Sequence, residues 1–244
     1  MGVFKKYMTD TYCYTHKAKI TKIDKDAKGV FVWLDETIFH PQGGAQPGDT
    51  GTIAGKKVTG LIHVGDEINH YLETVGELQI GDEVELLVDE TNRLQNAVLH
   101  STGHIMAAIL RENYNMKEQT GANHFPGQAS VKFKTSATKC PDAEEMTKKV
   151  QTIIDEKHPM TIIDVAGDRC LAIEGLDKGL RCGGTHLKNT GEVSEFKIRN
   201  VKVDNKKQEV SYGYTCNHLF LTTPKLAGVE TQVNAKTVSL AANQ

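Results

Sequence analysis

A mixed α+β fold with a mainly antiparallel sheet, fronted by a small β-barrel, is what this sequence predicts. Three observations carry that reading. Up to Asp89 the chain is a series of short runs rich in Val, Ile, Thr and aromatics, separated by glycine turns. A proline-free stretch of helical character follows. Beyond it, hairpin patterns surround one further amphipathic run.

In chain order, the barrel strands are read at Lys17–Ile23, Val30–Leu34, Val58–Val64, Asn69–Glu73 and Val84–Val88. Asp26-Ala27-Lys28-Gly29, Ala54-Gly55-Lys56-Lys57, Gly65-Asp66 and Gly81-Asp82 supply the turns. Even spacing of such strands suits a barrel. A helix is expected from Thr91, as N-cap, to Asn113, with Gly103 its single glycine between Arg93 and Arg111. A strand at Ala129–Lys134 leads to a turn at Cys140-Pro141-Asp142. The next helix, Asp142–Lys157, carries Met146, Val150, Ile153 and Ile154 on one face, with Pro159 beyond its end. Thr161–Val165 and Arg169–Glu174 form a hairpin turning at Gly167-Asp168. Strands at Glu192–Val201 and Gln208–Tyr214 are joined by a basic turn at Asp204–Lys207. From Asn217 the chain is polar and weakly periodic, the pattern of a loosely docked end. The composition shift near Asp89 divides the chain into a barrel domain with a glycine-rich loop, 1–89, and a second domain, 90–244.

Composition excludes several classes. The 244 residues hold 29 Lys+Arg against 31 Asp+Glu, a net charge of −2, which excludes a globally basic coat for nucleic acid. At 39% hydrophobic the chain can fill a core, yet it has no run of the ~18–20 apolar residues a bilayer requires. The first eight residues lack the apolar segment of a secretory signal. Cys13, Cys140, Cys170, Cys182 and Cys216 are odd in number and scattered, unlike a disulfide framework, so a reducing cytoplasm is expected.

Chemistry concentrates in two short motifs. In His100-Ser101-Thr102-Gly103-His104 the histidines lie one helical turn apart, so both imidazoles can meet one ion. In Cys182-Gly183-Gly184-Thr185-His186 the interval recurs, but paired glycines place it in a loop. Either motif alone also reads as an ordinary helical pair or as a glycine turn beside an inert thiol. Together, three imidazoles and one thiolate suit zinc. The absence of Glu after the first histidine removes the HExxH metalloprotease reading.

These motifs resemble the HxxxH and CxxxH pair of the alanyl-tRNA synthetase editing domain. The continuation Leu187-Lys188-Asn189-Thr190-Gly191-Glu192-Val193 extends the likeness, and Pro41–Gly51 is similar to the glycine-rich motif that precedes that domain. The length of the chain brings it nearest the free-standing trans-editing AlaX family, in the medium-length form with an N-terminal barrel. The resemblance implies Zn2+ held by His100, His104, Cys182 and His186, a zinc-bound water as the catalytic group with no side-chain base, and tRNA(Ala) as partner. It further implies deacylation of Ser-tRNA(Ala) and Gly-tRNA(Ala), with Ser101, Gly43, Gly44 and Gln46 around the amino acid. Arg93, Arg111, Lys197, Arg199 and Lys202 are the expected RNA contacts. Two departures stand out. Ser101 replaces the family's usual threonine, and Arg181 stands directly before Cys182 where a proline often intervenes. Rival readings are a non-catalytic metal-stabilised module for tRNA or a synthetase, a threonyl-type editing activity, and a zinc hydrolase of small esters or amides.

Overall fold

The computed structural model describes residues 2–135 and 140–222, so most of the expected loose C-terminal end lies outside the described residues. The first half contains β1 (Phe4–Lys5), β2 (Thr15–Asp26), β3 (Gly29–Leu34), β4 (Glu36–Thr37), β5 (Gly51–Ile53), β6 (Lys56–Val64), β7 (Glu67–Leu72) and β8 (Glu83–Val88). Six of these strands pair antiparallel in the order β2-β3-β7-β6-β5-β8, and β8 returns onto β2. Alternation explains the interior. In β8, Val84, Leu86 and Val88 point in while Glu83, Glu85 and Leu87 point out. With Ile20, Val32, Leu34, Ile53 and Ile68 they form one apolar core.

α1 (Glu90–Tyr114) runs out of β8. Its N-cap is Asp89 rather than the expected Thr91: the Asp89 carboxylate accepts from the Asn92 N–H at 3.0 Å, and an anion there also suits the helix dipole. The helix ends at Asn115, whose left-handed conformation (φ 53°) Asn tolerates.

Next come β9 (Gln119–Asn123), β10 (Ser130–Lys134), α2 (Ala143–Glu156), β11 (Met160–Val165), β12 (Asp168–Ile173), β13 (Asp177–Arg181), β14 (Val193–Asp204), β15 (Glu209–His218) and α3 (Leu219–Thr222). α2 is capped by Asp142, which accepts from the Glu145 N–H at 2.8 Å, and buries Met146, Val150 and Ile154. One antiparallel sheet has the order β14-β15-β10-β9, and a smaller one the order β11-β12-β13. Mixed α+β with mainly antiparallel pairing is therefore the observed class. The inner face of the larger sheet (Val131, Phe133, Val210, Tyr212 and Tyr214) packs with Val98, Leu99 and Met106 of α1 in a second apolar core.

β9 and β13 were not expected. Their sequences, Gln119-Thr120-Gly121-Ala122-Asn123 and Asp177-Lys178-Gly179-Leu180-Arg181, lack apolar alternation because both are edge strands held mainly by ladder hydrogen bonds. The two halves meet at a buried ion pair. Arg93 of α1 has no exposed surface; Nε donates to Asp49 Oδ1 at 2.9 Å, and its remaining nitrogens reach Asp49 Oδ2 and the carbonyls of Thr11 and Ile38. Arg93 is thus a structural cation, and the expectation that it contacts RNA is corrected: no face of it is open to a phosphate.

Candidate metal centre

His100 and His104 project from successive turns of α1, while the chain from Cys182 to His186 leaves β13 as an irregular loop. The fold brings the two segments together. One ligand atom from each of His100, His104, Cys182 and His186 lies within 4.8 Å of all the others. Cys182 Sγ is 3.3 Å from His100 Nε2 and 3.1 Å from His186 Nε2. A tetrahedral zinc with bonds of ~2.0–2.3 Å would separate such donors by ~3.3–3.6 Å, so the set fits a small divalent ion. His100 and His186 are buried and His104 and Cys182 half-buried, so the latter pair forms the open side.

Hydrogen bonds fix which imidazole nitrogen faces the ion. Gln46 Oε1 accepts from the Thr185 N–H at 3.0 Å, and Gln46 Nε2 donates to Thr185 Oγ1 at 2.8 Å. That identifies Oε1 as the carbonyl oxygen. His100 Nδ1, 2.7 Å away, must therefore be the N–H donor, leaving the Nε2 lone pair for the cluster. Gly184 makes this contact possible: a Cβ there would lie 2.3 Å from the His100 ring and 2.6 Å from Gln46 Oε1. Gln46 thus reaches the site from the barrel side, as an orienting group behind a ligand. Gly43 and Gly44 do not join it. They are exposed at the tip of a tight turn, with Gly43–Gln46 backbone hydrogen bonds of 3.1 and 2.9 Å and positive φ at Gly44 (56°) and Ala45 (64°).

Ser101 is fully buried beneath the loop. Its Oγ accepts from the Leu187 N–H at 3.0 Å and stands 3.4 Å from His186 Nδ1. The hydroxyl expected to meet the amino acid is engaged in holding the second motif in place. The Arg169 guanidinium, which the motifs gave no hint of, bonds the carbonyls of Met8, Cys182 and Gly184 and so ties the cysteine loop to the N-terminal segment.

His124 is a further residue that sequence reasoning missed. Its ring stacks on His100 with centroids 4.5 Å apart and planes at 24°, and Nδ1 lies 2.9 Å from the Tyr214 hydroxyl. The signal was Gly103: a Cβ at that position would fall 2.4 Å from His124 Cε1, so the helix glycine keeps space for an imidazole arriving from after β9.

Burial governs the electrostatics. His100 and His186 are held well below the usual histidine range, first by desolvation and then by neighbouring imidazoles. Burial lowers His104 to about 3 and His124 to about 4. The same burial raises the Cys182 thiol, against the pull of the Gly184 backbone and the Arg169 guanidinium. Imidazoles with available lone pairs and a thiol that a cation would deprotonate make a donor set suited to a divalent ion.

The remaining expected RNA contacts are spread out. Arg111 is half-buried, bonded to Gln119, 3.7 Å from Asp177 and over the Phe133 ring. Arg199 bonds the carbonyls of Tyr214 and Ala129. Lys197 and Lys202 are exposed on β14, opposite Thr215 and Ser211, on the sheet face turned away from the helices.

Residues 180–211 match the family model described as the threonyl and alanyl tRNA synthetase second additional domain, a segment that contains Cys182 and His186. The alanyl-tRNA editing protein AlaX-M of Methanosarcina mazei is 27% identical, over 84% of this chain and 94% of that protein. AlaX-L of Pyrococcus horikoshii is 31% identical over 79% of this chain, which spans about half of it (53%). An alanine–tRNA ligase of Sulfurisphaera tokodaii is 30% identical over 81% of this chain and 24% of its own length. No helix among the described residues is long and apolar enough to cross a membrane. Taken with the motifs and their convergence, these similarities mark the chain as a relative of the alanyl-tRNA editing proteins of the AlaX type.

Proposed function

We propose that this protein is a zinc-dependent trans-editing deacylase that hydrolyses Ser-tRNA(Ala), and Gly-tRNA(Ala) with it, in the cytoplasm. The observation that carries the reading is the convergence of His100, His104, Cys182 and His186, with His104 and Cys182 on the open side. Zinc bound there would supply Lewis-acid chemistry, polarising the ester carbonyl and making an attacking water more acidic.

The chain's own residues do the positioning. Gln46 holds His100 by Nδ1, Ser101 and the Leu187 N–H set the position of His186, and Arg169 fixes the carbonyls on either side of Gly183. Such supporting partners commonly matter by ~10–100-fold in metal affinity. We read residues 1–89 as a barrel domain that delivers Gln46, and 90–244 as the editing domain. Support for this division comes from the closed pairing order and the two separate apolar cores. For the tRNA, the exposed Lys197 and Lys202 offer phosphate contacts, joined on the outer sheet face by Lys132, which is opposite Ser211 in register.

The activity has a physical motive. A synthetase pocket separates substrates that differ by one methylene by only ~1–3 kcal/mol and rejects an added hydroxyl by roughly a hundredfold, so a second hydrolytic site is needed. Purified protein should deacylate Ser-tRNA(Ala) faster than Ala-tRNA(Ala) and leave Thr-tRNA(Thr) intact, and a chelator should abolish the reaction until zinc is restored. Hydrolysis that ignores the chelator, or tRNA binding without hydrolysis in zinc-loaded protein, would remove this reading in favour of a different hydrolase or a binding module.

A further inference from the structure

His124 lies beside the candidate ligands without being one of them, and its hydrogen bonds determine what it can offer. The Tyr214 hydroxyl is 2.7 Å from the Leu99 carbonyl, which can only accept. A phenol has one hydrogen, so that hydrogen is spent on Leu99 and the hydroxyl must accept from His124 Nδ1–H at 2.9 Å. The chain His124 Nδ1–H to Tyr214 to Leu99 leaves Nε2 as an acceptor. Nε2 has no hydrogen-bond partner among the described residues, and it is not one of their fully buried orphan atoms. What little of His124 is exposed, 4%, therefore includes this nitrogen.

The ring is pinned rather than mobile. It stacks on His100, the backbone N–H of His124 donates to the Ala45 carbonyl of the glycine turn at 2.9 Å, and Gly103 keeps clear the space the ring's Cε1 occupies. A fixed imidazole nitrogen with a free lone pair beside the candidate ligands suits a charged N–H donor on the substrate.

We propose that His124 Nε2 is the acceptor for the α-ammonium group of the amino acid whose ester lies at the metal centre. This rests on the deacylase reading and names the part of its substrate that this chain grips. Because the α-ammonium is common to all aminoacyl esters, the contact selects charged tRNA with a free amino terminus over N-blocked or peptidyl esters. Side-chain choice is left to other groups.

The test is a binding measurement on cobalt-loaded protein, using 3′-serylamido-3′-deoxyadenosine, a non-hydrolysable ester mimic, and its N-acetyl form. The parent should bind the free amine at least about tenfold more tightly, as expected for one charge-assisted hydrogen bond. His124→Phe keeps a stacking ring without the acceptor and should bind the two compounds alike, with the cobalt absorption spectrum unchanged. Gly103→Ala places a Cβ against the ring and should erase the same preference by a different route. A parent that binds neither compound, or variants that keep the parent's ratio, would overturn the assignment. If the preference holds but Ser-tRNA(Ala) is not hydrolysed, the deacylase reading fails and the ammonium site stands.

Discussion

Two glycine pairs, one in each half of the molecule, lie in the segments that supply Gln46 and Cys182, and they work differently. In the turn Gly43-Gly44-Ala45-Gln46, the requirement is a backbone angle. Gly44 has φ +56°, and no atom lies within 4 Å of where its Cβ would be. In Cys182-Gly183-Gly184-Thr185-His186 the requirement is room. Gly184 needs no unusual φ, but a Cβ there would sit 2.3 Å from the His100 ring, whereas Gly183 stands in open space. A glycine pair in a motif thus conceals one demanding position and one permissive one. Which is which depends on what the fold brings alongside.

The largest effect that bears on this contrast should come from the cysteine loop. Cys182→Ala should lose stoichiometric metal, read by elemental analysis, together with deacylation. Full activity in a metal-free Cys182→Ala would dismiss the zinc mechanism. The barrel-side loop should fail by another route, acid. His40 at its stem is buried and held down to about 4 by desolvation. A folded-state value below the unfolded ~6.5 means that the unfolded chain takes up the extra proton. His40 should therefore take almost nothing from stability above pH 6.5 and about 3 kcal/mol from it as the pH drops to 4. Urea titrations across that range, with His40→Gln as the flattened control, check the sign.

Gly184→Ala comes next. Either His100 or Gln46 must shift, so metal affinity should fall ~10–100-fold in competition with a chromogenic chelator. Gly44→Asn should do least. Asn tolerates the left-handed region, so stability should stay within ~0.5 kcal/mol and metal affinity should match the parent. If Gly44→Asn weakens metal binding as much as Gly184→Ala does, the division between angle and room is wrong.

The four candidate ligands were legible because their spacing is local: one helical turn in one motif, one short loop in the other. Strands with alternating apolar residues were legible for the same reason, as in β8 and the β11–β12 hairpin. What could not be read depended on distant neighbours. Gln46 was expected around the amino acid, since nothing local says that its amide would meet His100 and Thr185. Arg93 shares a helical stripe with the histidines, but Asp49 and two carbonyls in the other half make it a core residue. Ser101 was placed around the amino acid by the family resemblance, at the position of the usual threonine. One step around the helix instead puts its hydroxyl under the Leu187 N–H. His124 left only an indirect mark, the hole at Gly103.

The Arg93–Asp49 contact has a consequence for how this protein can be taken apart. Neither side chain has any solvent-exposed surface, and the two belong to opposite halves. An excised second half would carry a naked guanidinium on a wall that no longer has a lining, and an excised first half a stranded carboxylate. Modularity therefore has to be engineered: a minimal version lacking the barrel should become soluble only when position 93 is rewritten along with the cut.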